Sequence, residues 1–320
     1  MQKLTRRTFT GMALAAGSSL SLRVGAAQSA PVIGLTGAAG RLGTQVVEAL
    51  LRSVPPQRII AIARNREEQT AHLASHGVTL RFADYDYPEQ LLQALSGVER
   101  LLLISSTGSN RVAQHGAVVT AARQRGVKFL AYTSFLRADT SQLGVRADHL
   151  ATEQLLAASG LEWAALRNGW YTENYEGDVA SALRSGEITA ATGAGRISPA
   201  TRADYGAAAA AVLVDAGRPS GQLHELAGDT SFTMEELAAE IARQSGRSVV
   251  YRNQTEAQFR AAMAARGLPE AAIQNSWASQ AAIAAGALFD DSRQLSRLIG
   301  RPTTPWQQSV AAMLAQQRPG

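Results

Sequence analysis

The stretch Thr36-Gly37-Ala38-Ala39-Gly40-Arg41-Leu42-Gly43 constrains this chain more than any other part of it. It joins an apolar run, Val32–Thr36, that reads as a strand to Leu42–Leu51, whose apolar residues recur at helical spacing. A strand that turns into a helix over so few residues needs backbone that bends sharply. Glycine at 37 and 40 permits the bend, and glycine at 43 lets the helix lie close to the strand. The helix start then presents N–H groups without intrahelical partners and the positive end of the helix dipole, both suited to a diphosphate. The spacing is G-x-x-G-x-x-G rather than G-x-G-x-x-G. It predicts a dinucleotide-binding crossover whose candidate contacts are Gly37, Ala38, Ala39, Gly40, Arg41 and Leu42.

The pattern that follows agrees with a Rossmann fold. Strand-like runs at 58–63, 78–83, 100–104, 127–133 and 161–166 alternate with helical patterns at 88–97, 112–125 and 146–159. That alternation predicts an α/β fold with right-handed crossovers and a doubly wound parallel sheet. The run at 100–104 holds four successive apolar residues, as a strand buried on both faces does. After Trp170 the rhythm changes. A helix is expected at 203–214, a strand at 223–227 and a short strand at 249–252. Thr233-Met234-Glu235-Glu236 reads as a capping box opening a helix to Ser245. The rest is mostly helical, broken by Pro302 and Pro305. The expected division is a nucleotide-binding domain at 31–170 and a smaller, mostly helical substrate-binding part at 171–320, packed on the carboxyl edge of the sheet.

The first thirty residues read differently. Arg6-Arg7 precedes an apolar stretch, Gly11–Leu22, followed by Gly25-Ala26-Ala27. This resembles a twin-arginine export signal, an address rather than an anchor, and predicts a periplasmic protein, or a cytoplasmic one where the signal is inefficient. No later apolar run is long enough to cross a bilayer. The formal charge of +5 is largely the leader's. Lys3, Arg6, Arg7 and Arg23 lie in it with no acid, leaving 27 basic against 26 acidic residues. That balance argues against nucleic acid as a partner. The absence of cysteine excludes disulfides, thiolate metal sites and thiol nucleophiles.

The nucleotide can be narrowed further. An acid at the end of the second strand would hydrogen-bond the ribose of NAD; Arg64 stands there instead, followed by Asn65 and Arg66. A guanidinium suits a 2′-phosphate, so NADPH is the expected cofactor. Asp84 and Tyr85 end the third strand, where adenine lies in such folds; Ser105, Ser106 and Thr107 end the fourth, where backbone lines the cofactor.

The chemistry is defined partly by what is missing. A proton-relaying short-chain dehydrogenase pairs a tyrosine with a lysine four residues later. Beyond the leader the single lysine is Lys128, and position 124 is Gln. No G-x-S-x-G elbow occurs, and the expectation is that no histidine pair has metal-ligand spacing and that no metal is bound. What remains is a reaction dominated by hydride delivery, for which quinones are suitable acceptors. Asn168 to Tyr175 is dense in amides, aromatics and hydroxyls. Tyr171 and Asn174 are the candidate catalytic donors; Asn168, Gly169, Trp170 and Tyr171 are candidate cofactor contacts. A packed aromatic corner joining the two parts would explain the same stretch.

These residues carry a resemblance. TGAAGRLG at 36–43, ARN at 63–65, LLLISS at 101–106, YTS at 132–134, LRNGWYTENY at 166–175, ATRADY at 200–205 and LIGRPTT at 298–304 resemble the NmrA-like atypical short-chain dehydrogenases, and among them the bacterial NAD(P)H:quinone oxidoreductases. The resemblance implies NADPH held by residues 37–42, Arg64, the strand-four end and 168–173. It also implies direct hydride transfer to a quinone without flavin. Thr201, Arg202 and Tyr205 would edge the quinone pocket, or merely start a capped helix. Ser134 would lie beside the nicotinamide as a positioning residue. A homodimer is compatible with the resemblance. Two other readings stay open: an NADP(H)-binding redox sensor without turnover, and a sugar-nucleotide or isoflavone-type reductase, which needs a general acid.

Overall fold

The computed structural model describes residues 31–64, 67–215, 217 and 219–317. The export signal read at 1–30, and Asn65 and Arg66 beside Arg64, lie outside the described residues.

Seven parallel strands form the main sheet: β1 (Ile33–Leu35), β2 (Ile59–Ala63), β3 (Thr79–Phe82), β4 (Arg100–Leu103), β5 (Phe129–Phe135), β6 (Glu162–Asn168) and, later in the chain, β8 (Gln222–Leu226). Their spatial order is β3-β2-β1-β4-β5-β6-β8. β1 pairs on one side with β2, Ile33 opposite Ile59, and on the other with β4, Leu35 opposite Leu102. The order reverses between β1 and β4, and ligands of doubly wound sheets bind outside the strand ends at that point. The expected doubly wound parallel sheet is present.

Two helical layers cover the sheet. On one face lie α1 (Arg41–Leu50), α2 (Glu67–Ser75), α7 (Arg202–Val214) and α11 (Gln294–Ile299), around Val46, Leu50, Leu73, Val212 and Leu295. On the other lie α3 (Pro88–Ala94), α4 (Arg111–Gln124) and α5 (Arg146–Ala157), around Leu91, Val118, Tyr132 and Leu156. β4 and β5 are buried along their whole lengths because both layers close on them. The sheet does not end at Trp170. β8 adds to β6, and α7 packs on α1, so residues beyond the expected division at 170/171 complete the first layer.

A third core belongs to the later residues. It gathers α6 (Glu176–Ser185), the parallel pair β7 (Glu187–Ala190) and β9 (Val250–Asn253), α8 (Met234–Ser245) and α12 (Trp306–Gln316) around Phe232, Ile241 and Trp306. α9 (Glu256–Ala265) and α10 (Glu270–Ala284) pack on each other beside it. The capping box at Thr233 forms as read: Thr233 Oγ1 accepts from the Glu236 N–H and the Glu236 carboxylate from the Thr233 N–H. α6 and β7 were not foreseen; Gly186, in the left-handed region at φ 76°, separates them.

α2 also escaped the sequence reading, and with it a histidine pair. His72 and His76 are one turn apart on this helix, their Nε2 atoms 3.3 Å from each other. The reading that no histidine pair has ligand spacing is corrected to that extent. Among the described residues, no group of three or more His, Asp or Glu is placed to hold a metal.

Candidate dinucleotide site

The chain leaves β1 into a turn that a side chain would block. Gly37 has φ +63°, a region open to glycine, and its carbonyl accepts from the Gly40 N–H at 3.0 Å. A Cβ on Gly43 would stand 2.2 Å from that same carbonyl oxygen. The hydrogen at 43 thus allows α1 to begin against the loop. Gly40 caps α1 without a side-chain hydrogen bond. The N–H groups of Arg41 and Leu42 fall in the first turn, where a helix supplies no partner of its own.

This loop is one wall of a crevice of about 530 Å³ over the reversal point. Gly37, Ala39, Gly40, Arg41 and Leu42 line it, as do Arg64, Asp84 and Tyr85. Gly43, Ser105, Ser106, Thr107 and Tyr171 are further residues singled out in the sequence that lie on its surface. Strand ends that are consecutive in space but scattered in sequence thereby meet. Ala38 behaves differently from its neighbours: it is fully buried and gives its N–H to the Ile62 carbonyl at 3.1 Å, so that amide is not offered to a ligand. The Arg41 guanidinium pairs with Glu176 at the start of α6, joining the loop to the later part of the chain.

Tyr85 forms part of the floor. Its hydroxyl is 2.5 Å from Thr36 Oγ1 and 2.8 Å from the Ile104 carbonyl, tying together the ends of β1, β3 and β4. Burial pushes its pKa well up, so it stays a neutral donor.

The 168–175 stretch divides. Tyr171 reaches the crevice. Its ring lies under the Arg202 guanidinium, 4.5 Å away, and edge-on to Tyr205 at 5.3 Å. Its pKa is raised, chiefly by burial, with Asn168 and the Arg202 charge beside it acting in the opposite sense. Asn168 is buried behind it, Gly169 gives its N–H to the Leu226 carbonyl at 2.8 Å, and Trp170 packs against the third core. None of these three lines the crevice. Asn174 does not either; its side-chain oxygen accepts from Arg202 at 3.0 Å. Thr201 caps α7 through the Asp204 N–H at 3.1 Å, as a plain helix start requires, while the Tyr205 hydroxyl faces the Trp170 and Leu226 carbonyls.

Ser134 is a further correction. Side chains alternate along β5, and Thr133, not Ser134, faces the crevice. Ser134 Oγ instead donates to Glu153, which also takes two hydrogen bonds from Arg167. Sequence reasoning also passed over Ile62, Ala63, Ile104, Gly108 and Gln114, all on the crevice surface. The apolar ones look like ordinary core residues in sequence.

The comparisons with known proteins agree with this geometry. The family model described as NAD(P)H-binding matches residues 37–216. Quinone oxidoreductase 2 of Escherichia coli is 49% identical over 281 residues, 88% of this chain and 98% of that protein. The crystal structure of the NADPH-dependent quinone oxidoreductase from Escherichia coli, complexed with NADPH, superposes with a TM-score of 0.83 at 48% identity, covering 88% of this chain and 99% of that one. Triphenylmethane reductase of Citrobacter sp., complexed with NADP(H), gives 0.81 at 35% identity over the same shares. The chain belongs to the NAD(P)H-binding, NmrA-like family of reductases.

Proposed function

We propose that this chain is an NADPH-dependent quinone oxidoreductase that needs no flavin. The observation that carries the reading is the crevice itself: amides at the bare start of α1 and the exposed Arg64 at the end of β2 line one continuous surface with Tyr171. The residues fit a dinucleotide, because the turn at Gly37 and the close approach of α1 at Gly43 bring the free Arg41 and Leu42 amides to the crevice. Residues 37 and 39–42 would hold the diphosphate, Arg64 the 2′-phosphate, and Ser105, Ser106 and Thr133 the wall beyond. When bound, NADPH supplies the hydride.

The protein's part is orientation and a proton-bearing donor. The Tyr171 hydroxyl, protonated at neutral pH as any phenol is and held further from ionisation by burial, would hydrogen-bond the oxygen on which charge develops. Arg202 fixes the ring, and Asn174 supports Tyr171 only through Arg202. A quinone accepts hydride readily and can take its protons from solvent, so the missing Tyr–Lys pair is no obstacle. The identity with the Escherichia coli enzyme supports turnover over a sensor that only binds nucleotide. The test is purified protein with NADPH and a soluble quinone. Loss of nicotinamide absorbance that depends on quinone, without added flavin, is expected. Tight NADPH binding without turnover would leave the sensor. We also read residues 1–30 as an export address to the periplasm; N-terminal sequencing of protein from fractionated cells would show cleavage after residue 27. A homodimer would be seen by light scattering.

A further inference from the structure

The wall after β4 is held from behind by side chains. The Ile104 N–H donates to Thr36 Oγ1 at 3.2 Å, that of Ser105 to Thr133 Oγ1 at 2.8 Å, and that of Ser106 to His115 Nε2 at 2.9 Å. His115 lies on α4, fully buried between the sheet and α5. A ring nitrogen that accepts carries no proton, so Nδ1 must carry it and donate to Thr152 Oγ1, 2.8 Å away. Thr152 in turn donates to the Asp148 carbonyl at 2.9 Å. The relay fixes the tautomer from the α5 side, and the charge state follows from burial and from His149 and Arg111 nearby, which hold the pKa near about 4. The ring is neutral wherever the enzyme would work.

We propose that His115 is a positioning residue for the cofactor: its neutral Nε2 pins the Ser106 amide and so holds residues 104–108 in the one shape that lines the crevice. The inference rests on the crevice being the NADPH site. A residue that merely fills core between α4 and the sheet would be indifferent to which polar atoms it presents. One that holds the wall would not. Losing the acceptor leaves the Ser106 N–H buried beside an apolar group, and the segment must shift to find another partner.

The experiment compares His115→Leu, His115→Gln and Val118→Ala, the last a buried cavity on the same helix. Hydrogen exchange without nucleotide and NADPH titration are read on each. His115→Leu is expected to speed exchange of the Ser106 amide and weaken NADPH about tenfold, raising KM for NADPH while kcat stays within about twofold. His115→Gln keeps an acceptor and a donor and should recover most of the affinity. Val118→Ala should lose thermal stability but bind NADPH as wild type. Should the leucine variant not fold, Thr152→Val removes the hydroxyl behind Nδ1 and should weaken NADPH in the same direction. Unchanged NADPH affinity in a folded His115→Leu, or in Thr152→Val where the leucine variant is lost, overturns the proposal. So does a glutamine variant as weak as leucine. Wild-type protein that fails to bind NADPH would instead sink the site assignment itself.

Discussion

Two loops border the crevice and treat their amides in opposite ways. After β1, no side chain caps the start of α1, and the N–H groups of Arg41 and Leu42 stay at a helix start with no internal partner. After β4, the N–H groups of 104, 105, 106 and 108 are all taken by hydroxyls or by His115. The first loop leaves amides free at a helix start, where an anion would be held, and the second is fixed internally. An anion grip must be bare, so residues 37–40 are glycine and alanine. A fixed wall must be satisfied internally, so its partners are buried polar groups contributed by α4, β5 and β1.

The difference can be broken most strongly from the wall side, with acid. His115 and His149 are buried, and burial lowers both pKa values from 6.5 to about 4. The unfolded chain therefore binds more protons than the folded one between those values. Stability is fully present above pH 6.5 and falls as pH drops towards 4. Taking the protein from pH 7 to 4.5 should cost on the order of 5 kcal/mol if both groups respond in full. Urea unfolding at the two pH values checks this, and an equal midpoint at both would contradict it.

On the grip side, Gly43→Val should have the next largest effect. Its Cβ would collide with the Gly37 carbonyl and the Ala38 backbone, at 2.2 and 2.7 Å. We expect a loss of about 3 kcal/mol or more in stability, with NADPH binding lost; thermal unfolding and nucleotide titration read both. Arg64→Glu leaves the fold intact, since Arg64 is exposed. It should weaken NADPH roughly 100-fold and NADH far less; equal losses would remove the 2′-phosphate assignment. Glu176→Gln should do least. The Arg41–Glu176 pair is exposed, with side chains 60% and 36% accessible, and pairs of that kind contribute less than about 1 kcal/mol. A stability change beyond that by chemical denaturation would show that the link across the crevice matters more than its exposure suggests.

The grip was legible in the sequence because glycine spacing, the preceding strand and the following helix are all local. Arg64 was legible for the same reason, by counting along the next strand. The wall was not. His115 meets Ser106 nine residues away and Thr152 thirty-seven away, and only the packing of α4 between β4 and α5 brings them together. On β5, all seven residues are buried, so the apolar pattern did not reveal which face Thr133 and Ser134 occupy; the resemblance pointed to Ser134, whereas in the structure Thr133 lines the crevice and Ser134 donates to Glu153. The 168–175 stretch was recognised as a unit, yet the structure gives the crevice Tyr171 alone and packs Asn168, Gly169 and Trp170 away from it. In the third core, α8 and β9 were legible from the capping box at Thr233 and a short strand-like run, whereas α6 and β7 were missed, since they are held by packing against distant elements.

The account stands or falls with the nucleotide. Titration of the purified protein with NADPH and with NADH, followed by nicotinamide fluorescence, tests it directly. Saturable binding of one NADPH per chain, at least tenfold tighter than NADH, is the predicted result; no binding of either, or equal binding of both, would contradict it.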